Sequence, residues 1–314
     1  MKAIFHYDAG PRLRARFAAL AAEGFEIAPC PEHDETGLAA LLPEAEALLH
    51  ILKPATAAMI AQAPRLRLIQ KIGVGVNTID LEAARRRGIA VANMPGTNTP
   101  AVAETALLLM LAALRRLPAL DRACRAGAGW RLGGGLQEQV GELRGRTVGL
   151  VGAGMVPRAL APILRGCGAA LLYWSPREHP ELGVSRCDLP ELLAAADIVS
   201  LHLPLVRETT HLIDRAALAR MKPGAILVNT ARGGLVDETA LVEALKDGRL
   251  GAAGLDVFAT EPLSSEHPLL ALDNVVLMPH VAWLTPETLD RSLDIAVANM
   301  RRLRDGGELL FRVV

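Results

Sequence analysis

Residues Arg146 to Arg177 read RTVGLVGAGMVPRALAPILRGCGAALLYWSPR. A short apolar run, Thr147–Val151, stops at Gly152-Ala153-Gly154. A helix-like segment follows, and then a second apolar run, Ala170–Trp174. Strand, glycine turn, helix and strand within about thirty residues is the pattern of a βαβ unit that binds a dinucleotide. Gly152 admits a tight turn that a Cβ would obstruct, and Gly154 lets backbone approach a pyrophosphate. The new helix points its free N–H groups and positive dipole end at that anion. Two departures stand out. Pro157 fills the third glycine position, and the second strand ends in Ser175-Pro176-Arg177 without an Asp or Glu. Pro157 is tolerable in a first helical turn, where its missing N–H has no intrahelical partner. Pro162 lies deeper and is expected to kink or delay the helix.

The rest of the chain has to be compatible with that unit. At 314 residues it is too long for one ordinary core and suits two α/β domains. From Arg146 onward six strands are expected: Thr147–Val151, Ala170–Trp174, Ile198–Leu203, Ala225–Asn229, Ala252–Leu255 and Val275–Met278. Helices open between them at Pro190-Glu191, Asp214 and Asp237-Glu238, which gives a doubly wound sheet. Residues 1–95 show shorter buried runs, Ala3–His6, Glu46–Leu52, Leu66–Lys71 and Ile89–Ala92. Helical patterns such as Leu13–Glu23 and Asp80–Arg87 separate them, so a second, mostly parallel sheet is expected. The turn formers of Pro95–Pro100 mark a domain crossing, and a long apolar helix, Ala101–Leu117, follows. Residues 124–145 are glycine-rich around Trp130; such a segment packs on a neighbour rather than building its own core. The last helix, Pro286–Arg304, follows a completed sheet and is expected to return to the first domain.

Composition narrows the function. A hydrophobic share of 51% with 22% charged residues describes a globular chain, and a formal net charge of zero argues against nucleic-acid or membrane-surface binding. No uncharged run reaches the ~18 residues of a membrane span. Cys30, Cys124, Cys167 and Cys187 have no ligand spacing, so no metal site is expected and a reducing, cytoplasmic setting is.

Three polar residues follow strand-like runs: Arg232 in Asn229–Gly234, Glu261 in Gly254–Pro262, and His280 after Met278-Pro279. All three can meet at the sheet edge that the glycine turn occupies. Interconverting a secondary alcohol and a ketone needs a group that takes or gives a proton while hydride moves. Histidine titrates near neutrality and suits both directions. Glu261 can orient the imidazole, and the Arg232 fork matches a carboxylate and polarises an adjacent carbonyl. Each also has a plainer reading: a structural histidine, a turn glutamate, an arginine on helix-end carbonyls. Gly73-Val74-Gly75 is likewise either an anion cradle or an ordinary strand-to-helix turn capped by Asn77 or Asp80.

With these segments in hand, the chain resembles the D-isomer-specific 2-hydroxyacid dehydrogenases, a family that includes glyoxylate/hydroxypyruvate reductases and phosphoglycerate dehydrogenases. The likeness runs from Gly73–Asp80 through Asn98, Val102-Ala103-Glu104 and the glycine turn. It continues through Ala196–Pro204 and Met221–Gly224 to the three polar segments. It implies a flavodoxin-like substrate domain of residues 1–97 plus 286–314, and a dinucleotide-binding domain of 98–285 with a dimerisation arm over about 100–145. It implies Arg232 as substrate-binding residue and Glu261–His280 as acid/base pair. Val74 and Gly75 correspond to backbone donors for the substrate carboxylate. Met155 and Val156 lie over the pyrophosphate, Pro204, Thr230 and Ala231 line the cofactor, and Asp256 faces the nicotinamide carboxamide. The family's typical state is a homodimer, and its substrates are small 2-keto and 2-hydroxy acids.

Two features individualise the chain. Trp283, three residues beyond His280, is expected to wall the substrate pocket, or else to be a buried aromatic. Ser175 and Arg177 replace the carboxylate that would hold an NAD ribose and repel a 2′-phosphate, so NADP(H) is expected over NAD(H), unless Glu178 reaches the ribose. The alternative function is a non-catalytic NAD(P)-binding sensor of the corepressor kind, against which the intact Arg–Glu–His set weighs. An amino-acid dehydrogenase would use Lys71 or Lys53 and leave His280 and Glu261 unexplained.

Overall fold

Strands buried on both faces read as continuous apolar runs, and the central strands of both sheets are of this kind. The computed structural model describes residues 1–131, 133 and 135–314. Leu132 and Gly134, part of the expected arm, lie outside the described residues. The chain divides into two units, Met1–Asn98 with Thr285–Val314, and Thr99–Leu284.

In the first unit β1 (Lys2–His6), β2 (Glu26–Pro29), β3 (Ala47–His50), β4 (Leu68–Lys71) and β5 (Ala90–Ala92) pair in parallel in the order β2-β1-β3-β4-β5. That is the flavodoxin-like order. The expected strands are present, β1 one residue longer and the other three shorter, and β2 was not foreseen. The helices are α1 (Pro11–Ala22), α2 (Glu35–Leu41), α3 (Ala57–Ala61) and α4 (Leu81–Arg86). Asp34, Thr56 and Asp80 cap α2, α3 and α4 by accepting backbone N–H bonds. One face of the sheet, through Ile4, Leu48, Ile69 and Val91, packs with Leu38, Met59 and Ala84 of the helices.

The second unit opens with α5 (Thr99–Leu114). The expected Ala101–Leu117 helix ends early, because Arg116 adopts left-handed φ (52°) and α6 (Leu117–Arg125) starts anew with a proline at its first turn. After α7 (Leu136–Gln139) come β6 (Thr147–Val151), α8 (Met155–Gly166), β7 (Ala170–Trp174), β8 (Ser185–Arg186), α9 (Leu189–Ala195) and β9 (Ile198–Leu201). Then follow α10 (Arg215–Arg220), β10 (Ala225–Asn229), α11 (Glu238–Lys246), β11 (Leu250–Leu255) and β12 (Val275–Leu277). The sheet has seven parallel strands, not six, in the order β12-β11-β10-β9-β6-β7-β8; the short β8 is the addition. This is the doubly wound order, whose direction reverses between β6 and β9. Leu160 and Leu164 of α8 and Leu109 of α5 bury against Leu150 and Val228 on one face. Leu192, Leu218 and Leu241 of α9, α10 and α11 bury against Val151 and Leu227 on the other. The small residues of β11 have a packing reason: a Cβ on Gly254 would lie 2.8 Å from Leu109 Cβ.

The expected delay at Pro162 does not occur. The helix α8 begins at Met155 and runs through Pro162 to Gly166, with Pro157 buried in its first turn. The chain ends in α12 (Pro286–Asp305), which belongs to the first unit. There Asn299 donates to Gln70 Oε1 of β4 at 2.6 Å, and the C-terminal residues bond along β5 through Val91.

Candidate active site

The carboxyl ends of the seven strands set out the candidate residues in spatial order. Along that edge come Ser175 after β7, Gly152 after β6, His202 to Pro204 after β9, Thr230 to Arg232 after β10, Asp256 to Glu261 after β11, and His280 after β12. Gly152 sits at φ 113°, and a Cβ there would lie 2.7 Å from the carbonyl oxygen of His202. Only glycine makes this turn. A Cβ on Gly154 would meet nothing within 4 Å, so the space in front of it is open. Gly154 begins α8 without a side-chain cap. The N–H groups of Met155 and Val156 bond to no other described residue. An open glycine turn with two available helix N–H groups fits a pyrophosphate, with Pro157 subtracting the third donor.

At the other end of the edge, His280 Nδ1 donates to Glu261 Oε2 at 2.6 Å, and Glu261 Oε1 accepts from the Phe258 amide at 2.9 Å. His280 holds left-handed φ (57°), uncommon for a residue with a side chain. Four bonds fix it there. Its N–H donates to the Asp256 carbonyl at 2.8 Å. The Asp256 carboxylate accepts from Val281 and Ala282 N–H at 2.8 and 3.0 Å, and Trp283 Nε1 donates to the His280 carbonyl at 3.1 Å. Trp283 is thus a buried aromatic whose polar edge is spent on the histidine backbone.

The loop after β10 is fastened in the same manner. Asn229 accepts from Ala231 N–H at 3.0 Å and donates to the Arg232 carbonyl at 2.8 Å. A Cβ on Gly233 would overlap the Phe258 carbonyl carbon at 1.9 Å, so the β10 and β11 loops lie backbone to backbone. This brings Arg232 within electrostatic reach of Glu261. Burial draws the Arg232 guanidinium below its ordinary value, against the opposing charge of Glu261. Burial also disfavours ionisation of Glu261. The bond to His280, helped by the Phe258 amide and Arg232, outweighs it and holds the carboxyl below the usual range. Asp256 goes the other way, raised by burial despite its two amide donors.

The remaining residues expected at the cofactor and substrate are placed as follows. Ser175 is buried, and its carbonyl accepts from Arg186 at 3.2 Å. Arg177 is exposed and bonds to no other described residue, whereas Glu178 lies 3.7 Å from Arg186. Pro204 accepts from the Thr209 hydroxyl at 2.7 Å. Thr230 is buried with its hydroxyl unbonded. Val74 and Gly75 belong to the first unit. There the Asn93 amide donates to the Val74 carbonyl at 2.9 Å, and the N–H groups of both residues have no described partner. No described helix is long and apolar enough to cross a membrane.

A family model described as D-isomer specific 2-hydroxyacid dehydrogenase, NAD binding domain, matches residues 107–282. The chain belongs to this family. It is 43% identical to a D-3-phosphoglycerate dehydrogenase of Mycobacterium bovis, over 89% of this chain and 52% of that one, so it spans about half the length of that relative. A glyoxylate reductase of Aeropyrum pernix is 45% identical over 79% of this chain and 76% of its own. A crystal structure of a protein from Thermus thermophilus superimposes with a TM-score of 0.90 at 37% identity, covering 100% of both chains. The family's NAD binding domain takes a nicotinamide dinucleotide, and the open glycine turn fits one. The non-catalytic reading is not favoured. Sequence reading did not single out Asn229, Gly233 or His202. The Gly233-Gly234 pair was the one visible signal, since adjacent glycines after a strand mark close backbone approach.

Proposed function

We propose that this 2-hydroxyacid dehydrogenase is an NAD(P)H-dependent reductase of small 2-keto acids, yielding D-2-hydroxy acids, of the glyoxylate/hydroxypyruvate type. The observation that carries the proposal is the His280–Glu261 pair, 2.6 Å apart, on the same sheet edge as the glycine turn. The bound nicotinamide supplies the hydride. His280 Nδ1 is engaged by Glu261, which leaves Nε2 to deliver a proton to the forming hydroxyl. The carboxylate of Glu261, held ionised, accepts from Nδ1 and orients the imidazole for the transfer. Arg232 binds the substrate carboxylate and polarises the ketone; its burial strengthens both effects. Val74 and Gly75 offer backbone donors of the kind a carboxylate accepts. Asp256 and Trp283 hold the loop that carries His280.

For the cofactor, NADP(H) is preferred. Ser175 and the unpaired Arg177 suit a 2′-phosphate, and Glu178 is turned to Arg186. A homodimer is supported by exposed Leu108 and Leu111 on α5, Leu117 on α6, and Trp130 at 97% exposure. The four free thiols suit the cytoplasm. Steady-state assays of glyoxylate, hydroxypyruvate, pyruvate and bulkier 2-keto acids with NADPH and NADH test the proposal. Turnover of at least one small 2-keto acid, with kcat/KM higher for NADPH, is expected. No turnover on any of them overturns the activity, and a preference for NADH overturns the cofactor assignment alone.

A further inference from the structure

Glu261 is carried by a loop that the core barely holds. Between the buried Phe258 and the buried Leu269, residues 259–268 are exposed except for Leu263 and His267, which are partly buried. Little apolar burial offsets the entropy of ordering such a segment, so polar fastenings have to. Its second half has local ones. The Ser264 hydroxyl accepts from Glu266 N–H at 3.3 Å, and the Ser264 carbonyl accepts from His267 N–H at 3.0 Å. The contact that joins the two ends comes from outside the loop. Glu238, the first residue of α11, sets one carboxylate between them: Oε2 accepts from Ala259 N–H at 3.0 Å, and Oε1 lies 3.1 Å from His267 Nε2.

Both contacts call for a carboxylate. His267 Nδ1 accepts from Leu269 N–H at 3.3 Å and so caps the short helical turn Pro268–Ala271, which leaves Nε2 as the nitrogen that carries the proton. Ala259 also presents a donor. Two donors meeting at one side chain need two acceptor oxygens, which Glu has and Gln lacks. The preceding amide, Phe258 N–H, donates to Glu261 Oε1 at 2.9 Å. Two consecutive amides therefore anchor two carboxylates, one that joins the ends of the loop and one that engages His280. The peptide between them is also confined by backbone, since a Cβ on Gly233 would lie 2.4 Å from Ala259 N.

We propose that Glu238 is a positioning residue for the proton-transfer pair: by clasping the loop at Ala259 and His267 it sets the place of the Glu261 carboxylate, and through it the His280 ring. Its effect on rate rests on the acid/base reading of His280 and Glu261. The clasping of the loop does not rest on that reading and is measured separately.

Hydrogen-exchange mass spectrometry reads the clasp without any substrate. In the nearly isosteric Glu238→Gln, amides over 259–267 should exchange about tenfold faster than in wild type, with β10 and β11 unchanged. Unchanged exchange in the loop overturns the clasp, whatever the activity. In steady-state turnover of the best 2-keto acid, Glu238→Gln should lower kcat about tenfold while NADPH affinity is kept. Two substitutions of His267 separate the clasp from the helical cap. His267→Gln keeps a donor near the place of Nε2 and gives up the Nδ1 acceptor, whereas His267→Asn keeps the acceptor and gives up the donor. The clasp predicts kcat near wild type for His267→Gln and about tenfold lower for His267→Asn. The reverse order would make His267 a cap alone and overturn the clasp. A double-mutant cycle tests the route of action. In a Glu261→Gln background, Glu238→Gln should cost no further rate, because it acts through the carboxylate already removed. A further loss of about tenfold would show that Glu238 acts elsewhere and would overturn the positioning role. A wild-type chain that reduces no 2-keto acid overturns the acid/base reading and the positioning role with it, while the exchange result still decides the clasp.

Discussion

His280 shows how much of the site is made by residues that carry no chemistry. A non-glycine residue at φ 57° persists when its surroundings over-determine it, and here Asp256 and Trp283 do so. Arg232, Glu261 and His280 were legible in the sequence because each follows an apolar run and each is chemically apt. Their supports were not. Nothing local to Asn229, Asp256 or Trp283 announces that it will hold a loop, since each bond depends on where the backbone turns. Trp283 illustrates the limit: its place three residues after His280 was visible, but not that its indole N–H bonds the histidine carbonyl. The Glu261 carboxyl, depressed in the folded state, stabilises the protein fully above its unfolded pKa of about 4.3. That contribution disappears as pH falls through the lower folded value. The difference in melting temperature between wild type and Glu261→Gln should therefore narrow from about pH 6 to about pH 3. A difference that does not change with pH would show that the carboxylate is not held by its partners.

At the scale of elements, the two strands that flank the glycine turn and α8 were readable down to their ends, because β6 and β7 coincide with the two apolar runs. Two of the edge strands, β2 and β8, were not. Four-residue β2 is closed by Pro29, and β8 is two exposed residues, so neither has enough length for a period-two pattern. Pro162 does not delay α8, because its missing N–H costs one hydrogen bond within a helix otherwise held by Leu160, Ala161 and Leu164 in the core. The two turn glycines should separate experimentally. Gly152→Ala forces both a disfavoured φ and a contact with the His202 carbonyl; it should lower the melting temperature and abolish the further rise on adding NADPH. Gly154→Ala should melt like wild type without cofactor and lose only the NADPH-induced rise. If Gly152→Ala behaved like wild type in both respects, the turn would not be the cofactor site.

For the whole molecule, alternation of strands and helices foretold two parallel sheets, and the structure adds their strand orders. What alternation cannot convey is which apolar residues remain outside a core. Leu108 and Leu111 sit on the largely buried α5 and Leu117 opens α6, and all three are exposed. The proposed homodimer would bury them, so Leu117→Glu should elute as a monomer in size-exclusion chromatography with light scattering, where wild type is expected to elute as a dimer. Equal masses for the two would remove Leu117 from any interface. The central claim, that this chain reduces a 2-keto acid with His280 as proton donor, is tested most directly by single-turnover NADPH oxidation. The assay mixes His280→Ala with the best 2-keto acid of the panel. The rate should fall by on the order of 10²–10⁴ relative to wild type while the affinity for NADPH is kept. A wild-type rate in His280→Ala would contradict the account.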